Sequence, residues 1–128
     1  MSPPPQATDT IRVLIVDDEP DLRVLLRTML SIDQRFEIVG EAADGVEGLE
    51  LFEVLRPDVL VLDQRMPALE GLEVAAQVLA EDPDQTVLLM SAFLNDSIIA
   101  EAATLGVRGV ISKQNLADIV EEILRTIS

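Results

Sequence analysis

The chain of 128 residues has the size of a single domain, and with 48% hydrophobic residues it can bury a core without disulfide bonds. Because it contains no cysteine and no histidine, it excludes disulfide frameworks, thiolate metal sites and any reaction that needs its own imidazole. Its net charge of -15 would repel a phosphate backbone, so we expect no direct binding to nucleic acid.

The first ten residues, MSPPPQATDT, have neither the basic region nor the apolar core of a signal peptide. No apolar run in the chain is long enough to cross a membrane. We therefore expect a soluble, cytoplasmic protein without membrane contacts, in which residues 1–9 form a disordered leader and residues 10–128 form one domain.

Five short runs rich in Val, Ile and Leu predict strands. In chain order they are IRVLIV at 11–16, FEIVG at 36–40, VLVL at 59–62, TVLLM at 86–90 and VRGVI at 107–111. Runs this short and this apolar are typical of strands that are buried on both faces.

The segments that follow these runs have the spacing of helices that bury one face. Their apolar stripes are, in chain order, Leu22, Leu25, Leu26, Met29 and Leu30; Leu49, Phe52 and Leu55; Leu72, Ala75, Ala76 and Leu79; Ile98, Ile99, Ala102 and Ala103; and Leu116, Ile119, Val120, Ile123, Leu124 and Ile127. Five strands that alternate with five helices predict an α/β fold, a doubly wound parallel sheet with right-handed crossovers.

Ligands of such sheets bind at the carboxyl ends of the strands, so the residues found there are the candidate site. Asp17 and Asp18 follow the first predicted strand, and Asp63 ends the third. Ser91 ends the fourth strand and Lys113 follows the fifth. The sequence thus predicts that acids, a hydroxyl and an ammonium share one edge of the sheet.

The acids at this edge predict a site for Mg²⁺. Two unit charges about 4 Å apart repel each other by roughly 4 kcal/mol at an effective dielectric constant near 20, and a divalent cation removes that cost. Oxygen ligands without His or Cys favour Mg²⁺, which keeps several waters and so leaves positions for a phosphoryl group. Asp17 and Asp18, with Glu19 and Pro20, also fit the first turn of a helix; adding Asp63 favours the cation site.

Lys113 is the only lysine in the chain, since the other eight basic residues are arginines. Its position at a strand end indicates that a compact, flexible ammonium is needed there rather than a planar guanidinium. An aspartate nucleophile can form an acyl phosphate that a cation, an ammonium and the Ser91 hydroxyl stabilise. A hydroxyl in the position of Ser91 is also common as a turn or helix cap.

Four motifs in this order, VLIVDDEP, VLVLDQRMPALEG, VLLMSAF and GVISK, together resemble the receiver domain of a bacterial two-component response regulator over residues 10–128. The resemblance implies a flavodoxin-like, CheY-like sheet in the order 2-1-3-4-5 with five helices. It also implies a signalling domain rather than a metabolic enzyme, which is phosphorylated by a histidine kinase or a phosphotransfer protein and then acts on a downstream protein or an output domain.

Residue by residue, the resemblance implies that Asp63 is the phosphoacceptor. Asp17 and Asp18, Asp18 more directly, would hold Mg²⁺ with Asp63, and the backbone carbonyl of Arg65 would be a further ligand. Glu19 matches a position that is often acidic without being a ligand, so we expect it to serve the helix start.

The same resemblance implies that Ser91 is the hydroxyl of the switch and that Lys113 contacts the phosphoryl group. A phosphorylation-dependent dimer, through the fourth and fifth or the first and fifth helices, is compatible with the family. The sequence names neither the kinase nor the stimulus, and it does not distinguish a stand-alone receiver from part of a longer regulator.

Two residues depart from the family pattern. Val110 stands where many receivers have the Tyr or Phe whose ring moves inward on activation, so this chain would transmit its signal by another route. Gln114 follows Lys113 where a proline, commonly with a cis bond, is usual. Because a cis bond before a residue other than proline costs about 2.5 to 4 kcal/mol, we expect a trans bond here.

These departures leave a second function class open, a pseudo-receiver that docks partners independently of phosphorylation. A flavin-binding domain of the same fold is disfavoured, because DDEP is not a phosphate-binding loop and aromatic residues make up 2% of the chain. An aspartate-based phosphatase is disfavoured because Arg65 stands where such enzymes carry a second acid.

Overall fold

Strands and helices alternate along residues 10–127, the part of the chain that the computed structural model describes. The strands are β1 (Ile11–Val16), β2 (Phe36–Ala42), β3 (Val59–Asp63), β4 (Thr86–Ser91) and β5 (Gly109–Ser112). The helices are α1 (Pro20–Ile32), α2 (Gly45–Leu55), α3 (Gly71–Glu81), α4 (Asp96–Leu105) and α5 (Ile119–Ile127), and a 3₁₀ helix (Lys113–Asp118) precedes α5. The leader predicted for residues 1–9 lies outside the described residues.

The strands form one parallel sheet in the order β2-β1-β3-β4-β5, which confirms the predicted fold class. Strands β3 and β4 are buried along their whole length, as predicted from their apolar runs. The prediction was wrong for β2 and β5, which are largely half-exposed. Each of these two strands lies at an edge of the sheet, where only one neighbouring strand covers it.

Two apolar layers, one on each face of the sheet, hold the helices in place. Leu14, Leu62 and Leu89 face α2, α3 and α4, where Phe52 of α2 is buried. The strand residues next to these in sequence point to the other face of the sheet, where they pack with α1 and α5. Phe36 of β2 is buried in that second layer. The period-2 alternation of strand side chains therefore lets uniformly apolar strands fill both layers.

Two large residues of the predicted helix stripes point to solvent, as does the small Ala103 of α4. Leu25 of α1 is 46% exposed and Ile99 of α4 is 43% exposed. Each is adjacent in sequence to a residue that packs on a core, Leu26 and Ile98 respectively, and consecutive helical residues are about 100° apart around the axis. None of the helices within residues 10–127 is both long and apolar enough to cross a bilayer.

The loop after β3 is tied back onto the strand end by Gln64 and Gly71. The Gln64 side-chain oxygen accepts a hydrogen bond from the Leu72 N–H at 2.9 Å, and the Gly71 N–H donates to the Gln64 carbonyl at 2.9 Å. A Cβ atom added to Gly71 would collide with the Asp63 carbonyl oxygen and lie 2.9 Å from the Gln64 Cα. Glycine is needed here because the start of α3 touches the backbone that carries Asp63.

We predict that Gly71→Ala destabilises the protein by about 2 to 3 kcal/mol, because backbone atoms cannot move aside as a flexible side chain can. Gly106→Ala is the matched control: the nearest atom to its added Cβ is 3.9 Å away, and only the positive φ of 96° opposes the change. The control should lose about 1 kcal/mol. Urea unfolding at one pH measures both, and an equal loss in the two variants would contradict the close-contact explanation.

Candidate functional site

Four carboxylates meet at the carboxyl ends of β1 and β3. Asp17, Asp18, Glu19 and Asp63 each offer an oxygen, and these oxygens all lie within 4.8 Å of one another. The pairing of Val16 with Leu62 explains the convergence, because each strand continues directly into its acids. The structure therefore brings together the acids that the sequence places at this edge, while the roles assigned to them stay predictions.

The ammonium of Lys113 lies among three of these carboxylates. Its Nζ is 3.1 Å from Asp63 Oδ1, 3.3 Å from Asp17 Oδ2 and 3.0 Å from Glu19 Oε1. The Lys113 side chain is 13% exposed, and those of Asp17 and Asp63 are 0% and 2% exposed. Water therefore screens its contacts with Asp17 and Asp63 far less than it screens a surface ion pair.

The prediction for Glu19 was incomplete. Glu19 is the N-cap residue of α1 and Pro20 follows it, as expected for the helix start, but its side chain makes no capping hydrogen bond. Instead, its carboxylate accepts a hydrogen bond from Lys113 Nζ. Sequence patterns could not show this contact, because the two residues are far apart along the chain and meet only through the fold.

Two carboxylate oxygens in the centre of the site are buried without a hydrogen-bond donor. Asp17 Oδ1 accepts from the Glu19 N–H at 2.8 Å and Asp63 Oδ1 accepts from the Arg65 N–H at 3.4 Å. Asp17 Oδ2 and Asp63 Oδ2 have no such partner; the approach of Lys113 to Asp17 Oδ2 is an ion pair without hydrogen-bond geometry. Buried anionic oxygens that lack a hydrogen-bond donor are costly, and a hard cation is the ligand that would satisfy them.

The pKa values reflect this crowding of charge. Burial raises the pKa of Asp63 to about 6, and the charge of Asp17 acts in the same direction against the lowering effects of Lys113 and the Arg65 N–H. Burial also raises the pKa of Asp17. For Lys113, burial acts to lower the pKa, but the contacts with Glu19, Asp63 and Asp17 outweigh it and the pKa is raised. The ammonium thus stays charged at neutral pH.

Ser91 is buried at the end of β4, close to Asp63. Asp63 pairs with Met90 in the sheet, so Ser91 is the next residue beyond that pair. Its Oγ accepts a hydrogen bond from the Phe93 N–H at 3.2 Å, as in a turn. A cavity of about 350 Å³ opens beside Ser91, with Arg65 and Phe93 on its wall.

Arg65 lies two residues after Asp63 and is exposed, between the buried residues Gln64 and Met66. Its guanidinium carbon lies 5.9 Å from the centroid of the Phe93 ring, and that ring is itself 72% exposed. The backbone N–H of Arg65 faces Asp63, as described above. The predicted use of its carbonyl as a metal ligand stays a prediction.

The two departures from the family pattern have local consequences. Val110 is half-buried and packs against the layer that contains α3 and α4. Every peptide bond between residues 10 and 127 is trans, so the predicted trans bond between Lys113 and Gln114 is confirmed. The Gln114 N–H donates to Ser112 Oγ at 3.2 Å, a hydrogen bond that proline could not make.

Sequence reasoning missed one residue at this site, Arg23. Its Nη1 donates a hydrogen bond to the backbone carbonyl of Asp17 at 2.7 Å. The only sequence signal is its position about one turn inside α1, after the acids. An arginine there reads equally well as a solvated surface residue, so the signal did not single it out.

Comparisons with known proteins agree with one another. The family described as response regulator receiver domain matches residues 13–124, from β1 into α5. The chain is 35% identical over 114 residues to the chemotaxis protein CheY of Listeria monocytogenes, covering 89% of this chain and 95% of that protein. It is 41% identical over 124 residues to a protein-glutamate methylesterase/protein-glutamine glutaminase of Methanosarcina barkeri, covering 91% of this chain and 34% of that protein.

The fold has close counterparts among solved structures. The signal receiver domain of NarL from Mycobacterium tuberculosis aligns with a TM-score of 0.86 at 35% identity, covering 93% of this chain and 97% of that domain. The response regulator domain of Thermotoga maritima CheB aligns with a TM-score of 0.86 at 29% identity, covering 92% of this chain and 96% of that domain. The sheet order found here is the CheY-like one that the motifs imply.

We predict that Asp63→Asn stabilises the metal-free protein at pH 7 by about 1 to 2 kcal/mol, because it removes a buried carboxylate whose pKa is raised to about 6. An acid with a raised folded-state pKa contributes stability below its unfolded pKa and loses it as the pH rises through its folded pKa. The gap between variant and wild type should therefore open between pH 4 and pH 7.

Denaturant unfolding in EDTA across this pH range measures the effect. Asp118→Asn, which removes an exposed carboxylate from the 3₁₀ helix, is the control for net charge. If both variants gain the same stability at every pH, burial of Asp63 is not the cause.

Proposed function

The chain belongs to the response regulator receiver domain family, and we propose that Asp63 accepts a phosphoryl group from a histidine kinase or a phosphotransfer protein. The observation that carries this proposal is the position of Asp63, buried at the end of β3 with Lys113 at 3.1 Å and Asp17 beside it. A carboxylate held next to an ammonium and further acids has the surroundings that phosphoryl transfer needs. The domain would serve signalling, and its chemistry would be limited to its own phosphorylation and dephosphorylation.

Mg²⁺ is the cofactor that the site favours. Asp17, Asp18 and Asp63 would hold it through carboxylate oxygens, together with the backbone carbonyl of Arg65. The fit rests on the two buried oxygens without donors and on a donor set that contains only oxygen. When bound, the ion would neutralise charge on the carboxylates and on the transferring phosphoryl oxygens.

Asp63, Lys113 and Ser91 would each have a separate role in the phosphoryl transfer. The bond from phosphorus to an imidazole nitrogen of the donor breaks with its electron pair left on that nitrogen, while a carboxylate oxygen of Asp63 forms the new bond to phosphorus. Lys113 holds its ammonium next to Asp63, where it stabilises charge on the phosphoryl oxygens. The Ser91 hydroxyl uses only acceptor capacity in its bond from Phe93, so its proton is free to be donated to a phosphoryl oxygen.

We propose that phosphorylation then shifts a two-state equilibrium of the surface formed by β4, α4 and β5. Movement of Ser91 toward the phosphoryl group would break its bond with the Phe93 N–H and displace the start of the loop before α4. With Val110 in place of an aromatic residue, backbone shifts of this kind would carry the signal. The recipient would be a downstream protein or an output domain in the cytoplasm, with a phosphorylation-dependent dimer through α4 and α5 or α1 and α5 as one form.

We predict that Asp63→Ala abolishes phosphorylation by acetyl phosphate and trapping by beryllofluoride, because it removes the carboxylate that ends β3 beside Lys113 and that we propose as the phosphoacceptor. Intact-protein mass measurement and amide shifts provide the readouts, with Asp118→Asn as the control and EDTA to test the need for Mg²⁺. An unchanged phosphoryl yield in Asp63→Ala would end the proposal. Identical partner affinity and identical distant amide shifts in phosphorylated and unphosphorylated protein would instead favour the phosphorylation-independent docking module.

We predict that Lys113→Arg impairs switching much more than it impairs Mg²⁺ binding, because Lys113 contacts Asp63 but is not a metal ligand. A planar guanidinium keeps the charge, yet it cannot place a compact donor at the same point. A calorimetric Mg²⁺ titration should change less than threefold, while the amide shifts induced by beryllofluoride in β4 and α4 should largely disappear. If Lys113→Arg weakened Mg²⁺ binding as strongly as it reduced the beryllofluoride-induced shifts, Lys113 would be acting on the metal site itself.

A further inference from the structure

The loop that carries the acids is closed by Arg23. The Arg23 backbone N–H donates to the Glu19 carbonyl at 3.1 Å as the first turn of α1 forms, and its side chain returns to the Asp17 carbonyl at 2.7 Å. The Glu19 N–H in turn donates to Asp17 Oδ1 at 2.8 Å. Three hydrogen bonds thus hold the short segment from Asp17 to Glu19 between the strand and the helix.

The guanidinium of Arg23 is itself held in place. Its side chain is 19% exposed, and its Nε lies 3.7 Å from Oε1 of Glu41 on β2. Glu41 binds Arg27 more closely, with 2.7 Å between Oε2 and Nη1, and the Arg27 side chain is 47% exposed. Glu41 therefore contacts two arginines that lie one helical turn apart on α1. Of the two, Arg23 also donates a hydrogen bond to the loop after β1.

Arg23 differs from Lys113 in the atom that it binds. Lys113 contacts carboxylate oxygens of Asp17 and Asp63, the atoms that a metal ion would use. Arg23 binds the Asp17 carbonyl and so restricts the planar peptide unit between Asp17 and Asp18 without using a carboxylate. The direction in which the Asp18 side chain leaves the backbone depends on that peptide plane.

We propose that Arg23 is a positioning residue for the divalent-cation site, which holds the Asp17–Asp18 peptide unit in the orientation that lets both carboxylates bind the same ion. This inference rests on the proposed function, since it assumes that Mg²⁺ binds these acids. Groups that orient metal ligands typically change metal affinity by about 10- to 100-fold when they are removed.

Charge alone predicts the opposite result, which makes the proposal testable. Removal of a positive charge near an acidic site strengthens cation binding through Coulomb attraction. Arg23→Met and Arg27→Met remove the same charge from the same partner, Glu41. Only Arg23→Met also removes the hydrogen bond to Asp17.

The experiment is a Mg²⁺ titration of the wild-type protein and both variants, followed by calorimetry and by amide shifts, since the chain has no Trp or Tyr for fluorescence. Arg23→Met should bind Mg²⁺ about tenfold more weakly, and its metal-free amide shifts should change at Asp18 and Glu19. Arg27→Met should bind as the wild type does or slightly more tightly. Equal or tighter binding by Arg23→Met would overturn the proposal.

Arg23→Lys provides a second test if Arg23→Met folds poorly. This variant keeps the charge and a hydrogen-bond donor, so its Mg²⁺ affinity should lie between those of Arg23→Met and the wild type. Relative to the wild type, we expect its Mg²⁺ affinity to fall about threefold. Binding of Mg²⁺ by Arg23→Lys that is as tight as that of the wild type, or tighter, would overturn the role of the directed hydrogen bond. If the wild type itself binds no Mg²⁺, the proposed function fails; if it binds Mg²⁺ and is phosphorylated while the Arg23 variants bind equally well, only this inference fails.

Discussion

Two buried carboxylates, Asp17 and Asp63, lie side by side at the carboxyl ends of neighbouring parallel strands, and the rest of the site depends on this arrangement. The pairing of β1 with β3 leaves them no freedom to separate. Burial raises the pKa of both groups, which means that the metal-free fold resists ionising them. A site that is unfavourable without a cation is one in which a cation gains affinity, so the same repulsion that lowers stability favours binding.

The need to offset this charge explains the use of a lysine at the end of β5. Strand β4 separates β5 from β3, so the ammonium must reach across roughly 10 Å of sheet. The four-carbon stem covers part of that distance, and the Asp63 side chain extends toward the ammonium across the rest. The ammonium of Lys113 then reaches Asp17, Glu19 and Asp63 together.

The two loops that carry the acids are fixed mainly by contacts to backbone atoms, while one oxygen of each buried acid also accepts a hydrogen bond from its own loop, Asp17 Oδ1 from the Glu19 N–H and Asp63 Oδ1 from the Arg65 N–H. Arg23 holds the loop after β1 through the Asp17 carbonyl, and Gln64 and Gly71 hold the loop after β3. Buried oxygens of Asp17 and Asp63 are thereby left without donors. Ser91 ends β4, and its Oγ accepts a hydrogen bond at 3.2 Å from the N–H of Phe93 in the loop that leads to α4. The acid-bearing loops are thus tied to the strand ends by several hydrogen bonds, and the loop toward α4 is tied to Ser91 by the bond from Phe93.

The sequence by itself determined the order of strands and helices, the edge of the sheet that holds the site and the identity of its acids, lysine and serine. Local patterns suffice for these because apolar runs define strands, and parallel strands all present their carboxyl ends at one edge. Only the tertiary structure decided that Glu19 contacts Lys113, that Arg23 binds the Asp17 carbonyl and that Leu25 faces solvent. These facts depend on how each helix is rotated against the sheet and how far each side chain reaches, and the spacing of residues along the chain encodes neither.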